Sequence, residues 1–192
     1  MQQGFLLIID GASAVGKTTI TNALLAQEAF PLAISRRVTT RARRANDDPN
    51  YDFINHDQFD QLVTSGALLE HHNYLFGMSY GLPKADVMQQ LQAGKYLLGM
   101  INLGNFATVQ AQVPNSFGVF LNASIPTIQR RLEARKSHTA EQIEERLGNA
   151  QRAKQYMADY NLVIKNEDRS VDSVTSEIIS SFRDFIQQRS PL

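Results

Sequence analysis

The chain opens on a short unbroken apolar run, Phe-Leu-Leu-Ile-Ile at residues 5–9, followed by a glycine-bounded stretch and then by apolar positions at helical spacing over residues 17–27. So brief a continuous run predicts a strand buried on both faces of a parallel sheet, and the spacing after it predicts a helix. Further strands are expected at residues 32–35, 95–101, 116–121 and 161–164, with helical patterns between them. That alternation predicts an α/β three-layer sandwich built on a parallel sheet.

Residues 36–83 have a different texture. Tyr51 to Asn55, a helix over 57–64 and a half-polar strand over 67–75 read as a small inserted lobe. Beyond it, Ser124-Ile-Pro126 starts a helix well, because serine caps free N–H groups and proline lacks one; Ile125, Ile128 and Leu132 then share a face. After a polar bend at 136–138, Thr139 and Gln142 predict a capping box, and Ile143, Leu147 and Ala150 continue the apolar stripe. Val171, Val174, Ile178, Phe182 and Phe185 keep helical period, so the last helix is expected to dock on the sheet.

Composition narrows the partners. The 192 residues fit one domain, 1–192; 19 basic and 19 acidic residues leave no net charge to hold nucleic acid non-specifically. With no cysteine there is no thiolate metal site, and no apolar run approaches the roughly 20 residues that span a bilayer. The start lacks the pattern of a signal peptide, so a cytoplasmic protein is expected, without nucleic-acid or membrane partners; no feature fixes an oligomeric state.

The chemistry begins at Gly11-Ala12-Ser13-Ala14-Val15-Gly16-Lys17-Thr18, which fits G-x-x-x-x-G-K-[ST] and is followed by Thr19. Its glycines let backbone N–H groups turn inward, and the helix start adds positive potential for phosphates. Lys17 is expected to bridge the β- and γ-phosphates of ATP and the Thr18 hydroxyl to ligate Mg²⁺. Asp10 precedes the loop, where a carboxylate would be repelled unless it serves the metal side or caps a neighbouring loop. Arg36, Arg37, Arg41, Arg43 and Arg44 put five guanidiniums into nine residues, a pattern suited to a second, acceptor phosphate or to a solvated basic face.

With these pieces in place, the chain resembles the guanylate kinase family over nearly its whole length. The matching segments are the phosphate loop, Thr39-Thr40-Arg41 with Arg44, Tyr51-Asp52-Phe53, Leu69-Glu70, Tyr80-Gly81, Arg131-Leu132 with Arg135, Glu145-Arg146-Leu147 and Val163 to Asn166. The resemblance implies a phosphate-loop kinase fold in which a core (1–35 and 84–192) binds ATP, a lobe (36–83) binds GMP and a helical lid (131–150) closes over both. It implies that Arg41, Arg44, Tyr51 and Tyr80 hold the acceptor phosphate. Arg131, Arg135 and Arg146 would serve the transferring phosphoryl, Glu70 would read guanine and Asn166 would belong to the adenine pocket. The residues themselves also admit plainer roles: lobe core for Tyr51 and Tyr80, a lobe carboxylate for Glu70, and helix-surface ion pairs of Arg131 and Arg146 with Glu133, Glu144 or Glu145. His71 and His72 face opposite sides of a strand and are not expected to bind metal.

Departures from the family pattern bear on the acceptor. Its Asp-x-Asp falls here on Gly99 and Ile101; Arg37 replaces a serine and Leu82 a serine or threonine. Asn102 lies one residue out of register and, on a strand, would point away. These features resemble ribose 1,5-bisphosphate phosphokinase, while Tyr51 and Glu70 match guanylate kinase. The expected activity is phosphoryl transfer from ATP to GMP. The alternatives are a ribose bisphosphate or another nucleoside monophosphate as acceptor, or an inactive module that binds a phosphopeptide.

Overall fold

The computed structural model describes residues 3–28, 30–43, 50–73, 77–135, 139–167 and 169–189; Arg44 and the expected bend at 136–138 lie outside them. Along the chain run β1 (Phe5–Gly11), α1 (Lys17–Leu25), β2 (Ala33–Ile34), β3 (Arg37–Thr39), β4 (Tyr51–Phe53), α2 (His56–Thr64), β5 (Leu68–Asn73) and β6 (Ser79–Pro83). Then come α3 (Lys84–Gln92), β7 (Tyr96–Met100), α4 (Phe106–Gln112), β8 (Ser116–Asn122), α5 (Ile125–Ala134), α6 (Ala140–Ala153), a 3-10 turn (Lys154–Asp159), β9 (Leu162–Lys165) and α7 (Val171–Arg189).

β1 is buried throughout, as its unbroken apolar run requires, and lies at the centre of a five-stranded sheet in the order β2-β7-β1-β8-β9, each pairing parallel. The strand after β1 lies on its β7 side and β8 on the other. The order therefore reverses at the carboxyl end of β1, where ligands bind in open α/β sheets. Alternation along β8 covers both faces. Phe117 meets Phe182 and Phe185 of α7 at ring distances of 5.8 and 5.1 Å, while Phe120 meets Tyr160, itself stacked on Phe106, at 5.1 and 5.0 Å. The last helix docks as its period predicts.

The second sheet, β4-β3-β6-β5, has its own small core of Val38, Phe59 and Leu68 under α2. Its three-residue strand β3 was not expected from the arginine-rich sequence; pairing on both sides, with β4 and β6, stabilises what local propensity does not. The capping boxes at Asn55–Gln58 and Thr139–Gln142 are both formed, and Ser124 accepts from the Thr127 N–H. Among the described residues no helix is long and apolar enough to cross a membrane.

Candidate active site

The loop leaving β1 is held open by three left-handed residues, Gly11 (φ 139°), Ala14 (φ 63°) and Gly16 (φ 104°). Gly11 is required by space as well. A Cβ on Gly11 would lie 2.2 Å from the Leu121 carbonyl oxygen, and one on Gly16 would lie 2.5 Å from Asn166 Nδ2. No side chain caps the start of α1 and no acidic residue sits in its first turn, so its free N–H groups suit an anion. Lys17 folds back over the loop, its Nζ donating to the carbonyls of Gly11 and Ala12 at 2.6 and 2.8 Å. Thr18 and Thr19 are exposed beside it, while Ala12, Ala14 and Val15 are buried.

Distant residues fix the loop from behind. Asn166, just past β9, donates Nδ2 to the Val15 carbonyl at 2.8 Å. Arg131 of α5 donates to the Ala14 carbonyl at 3.3 Å and the Asn166 carbonyl at 3.0 Å. Arg146 of α6 donates to Ser13 Oγ at 2.9 Å. Arg131 and Arg146 thus touch the loop itself and make none of the helix-surface ion pairs the sequence allowed.

Burial pushes the Lys17 ammonium below the ordinary lysine value, Asp10 partly offsets that, and the guanidiniums of Arg135, Arg37 and Arg146 push it further down. Of these guanidiniums, that of Arg146 also contacts the loop through Ser13, and a buried anion lies directly behind Gly11.

That anion is Asp10, at 1 % exposure. Its Oδ1 accepts from the Gly11 N–H at 2.6 Å; its Oδ2 accepts from the Gly104 N–H at 3.1 Å and from the Tyr160 hydroxyl. Burial is the largest influence on its carboxyl and raises its pKa. Of the two roles the sequence left to Asp10, loop anchoring is the one this geometry occupies. Oδ2 is taken by two protein donors, while Oδ1 accepts one and keeps a lone pair. Thr18, the other expected metal ligand, is exposed, and among the described residues no cluster of His, Asp and Glu forms a metal cage.

The acceptor side is set by register in the second sheet. Arg37 pairs with Tyr51, Thr39 with both Phe53 and Tyr80, and Glu70 with Leu82, so these side chains share one face. On it the Tyr51 and Tyr80 rings meet edge to face at 6.1 Å; Arg37 lies 5.6 Å over Tyr80, and Arg41 lies 5.9 Å over Tyr51 and 5.2 Å over Phe53. Arg36 points elsewhere, into an exposed ion pair with Asp52.

Arg37 does not stand free for a phosphate. Its guanidinium donates to Glu70 Oε1 at 3.2 Å in a buried pair, its side chain 8 % exposed and that of Glu70 fully enclosed. The other Glu70 oxygen, Oε2, accepts from the Asn102 N–H at 3.2 Å, Asn102 Nδ2 at 2.7 Å and Asn105 Nδ2 at 2.9 Å. The expectation that Asn102 points away fails for a simple reason: β7 ends at Met100, so strand alternation no longer applies two residues later. The turn residues Asn102, Gly104 and Asn105 in sequence were the available signal that the strand had ended.

The sequence model of the family described as guanylate kinase matches residues 3–187. The chain belongs to the guanylate kinase family. It is 32 % identical over 168 residues to the guanylate kinase of Lactobacillus delbrueckii subsp. bulgaricus, covering 86 % of this chain and 82 % of that one. It is 32 % identical over 185 residues to that of Rhodococcus jostii, covering 93 % and 89 %. The fold matches the crystal structure of guanylate kinase from Anaplasma phagocytophilum with a TM-score of 0.74 at 23 % identity, covering 99 % of this chain and 89 % of that chain.

Within the guanylate kinase fold, the missing aspartates have a packing explanation. A Cβ on Gly99 would lie 2.8 Å from Ile8 Cδ1 and 3.2 Å from Ser35 Oγ, so the space a side chain would need is filled by β1 and Ser35. Ile101 is 5 % exposed and joins the main core, as does Leu82 at 0 %. Where the resemblance leads one to expect carboxylates, this chain places core atoms, and it brings Asn102 and Asn105 to Glu70.

Proposed function

We propose that this chain transfers the γ-phosphoryl group of ATP to GMP, giving GDP and ADP in the cytoplasm. The observation that carries the reading is the presence in one chain of two sites: the Lys17 loop, to which Arg131 and Arg146 donate, and the lobe face of Arg37, Arg41, Tyr51, Glu70 and Tyr80. The named relatives are all guanylate kinases, which favours GMP over a ribose bisphosphate.

A GMP phosphate oxygen attacks the γ-phosphorus as the bond to the β,γ-bridging oxygen breaks, and ADP leaves with that electron pair. The acceptor is already anionic, so the chain supplies alignment and charge rather than a strong base. In this reading the loop N–H groups and Lys17 hold the β- and γ-phosphates, and Arg41, Arg44, Tyr51 and Tyr80 hold the acceptor phosphate. Arg135 and Arg146 meet the charge developing on the transferred group; Arg131 and Asn166 keep the loop in shape. Thr18 is the residue that would hold Mg²⁺, which when bound neutralises the β- and γ-oxygens. Helices α5 and α6 would close as a lid and exclude water.

ADP release by the purified protein with Mg·ATP, measured against GMP, dGMP, CMP, AMP, UMP and ribose 1,5-bisphosphate, tests the assignment. GMP should give the highest kcat/KM, and Lys17→Ala should lower its kcat about 10²–10³-fold. Release without acceptor dependence, or turnover indifferent to Lys17→Ala, would remove the kinase reading.

A further inference from the structure

Deep in the lobe, the Arg37–Glu70 pair is made unequally. Arg37 contributes one N–H at 3.2 Å, and among the described residues its buried Nε has no hydrogen-bond partner. Glu70, by contrast, keeps three further N–H contacts on Oε2 from Asn102 and Asn105. Oε2 is crowded by three donors and Oε1 accepts from Arg37 alone, so a base edge that presents two N–H groups to the carboxylate has to compete with Arg37 for Oε1. Arg37 is the donor held by a single contact, and its guanidinium lies 5.6 Å over the ring of Tyr80, a residue assigned above to the acceptor phosphate.

We propose that the Arg37–Glu70 ion pair is an exchange device that makes recognition of the two ends of a nucleoside monophosphate interdependent. The base N–H groups take Oε1 of Glu70 as the acceptor phosphate takes Arg37, and Asn102 and Asn105 keep the carboxylate in place during the exchange. A molecule carrying one end only breaks the pair and leaves the opposite charge buried without its counter-ion, a strongly unfavourable state. Arg37 is thus a specificity-determining residue that selects against nucleosides and against sugar phosphates. The inference rests on the acceptor reading above.

The test is binding of GMP, guanosine and ribose 5-phosphate to wild type, Arg37→Ser and Glu70→Gln. Removing Arg37 frees Oε1 and should raise the affinity for guanosine about tenfold, while the affinity for GMP falls. Glu70→Gln, nearly isosteric, leaves Arg37 seeking an anion and should raise the affinity for ribose 5-phosphate about tenfold. An Arg37 that simply contacts phosphate predicts no gain for guanosine, and damaged folding predicts no gain for any ligand. If Arg37→Ser does not fold, Glu70→Gln decides alone. Absence of a gain in every folded variant overturns the exchange; failure of wild type to bind GMP removes the acceptor reading instead, and this inference with it.

Discussion

Tyr160, in the turn that leads into β9, donates its hydroxyl to Asp10 Oδ2 at the end of β1, joining residues 150 apart immediately behind the phosphate loop. Phe106 and Phe120 pack on the Tyr160 ring, so the hydroxyl is aimed by aromatic contacts on two elements. The carboxylate next to the anion site is therefore a structural acceptor for three donors.

Asp10→Asn should consequently destabilise the fold by about 1–3 kcal/mol, because an amide N–H₂ would face a buried N–H or hydroxyl donor. The Mg²⁺ dependence of turnover should stay as in wild type. Denaturant unfolding and a Mg²⁺ titration of kcat check the two halves. Burial holds the Asp10 pKa above its ordinary 3.8, so the folded chain protonates it before the unfolded chain does. Its contribution to stability is thus most favourable below 3.8 and is lost as pH rises through the raised folded value.

Lys17 should set an alkaline limit on ATP use. Its pKa is depressed from the ordinary 10.5 by burial first and by Arg135, Arg37 and Arg146 next, so kcat/KM for ATP should begin to fall below pH 10.5. Arg146→Ala removes one of those repulsions and should move the alkaline limb upward, while lowering the plateau. A pH–rate profile reads the limb independently of the plateau.

Restoring a carboxylate at position 99 should fail without repacking. Gly99→Asp drives a Cβ to within 2.8 Å of Ile8 Cδ1 and buries a charge, at a cost of about 1–3 kcal/mol from crowding alone. Ile8→Val removes the clashing methyl, so the double variant should recover part of the loss. Thermal melts of the single and double variants form the cycle that measures it.

Acid should release the start of α5. Glu167 accepts from the Ser124 N–H and pairs with Lys165, and its pKa is lowered from 4.5 to about 2. A depressed folded pKa contributes stability above 4.5 and loses it as pH falls toward 2. Glu167→Gln should therefore melt below wild type at neutral pH, with the gap closing at about pH 2.

Much of the molecule was legible locally. The phosphate loop, the strand before it and the caps at Ser124 and Thr139 depend on residues within a few positions of one another, and each forms as its pattern predicts. The short strand β3 was not legible, because it is held by its neighbours in the sheet, whereas the turn after Met100 was marked in the sequence by Asn102, Gly104 and Asn105 but its contact with Glu70 was not.

The sequence by itself determined that an anion site stands at the end of a buried strand, since backbone N–H groups and glycines there act through local geometry alone. Only the tertiary structure decided what the charged residues around it do. Asp10 is assigned by Gly104 and Tyr160, residues 94 and 150 positions away, and Arg37 by Glu70, 33 positions away on a strand that is not its direct neighbour. A buried charge takes its role from the partner that compensates it, and that partner is fixed by how elements dock rather than by spacing along the chain.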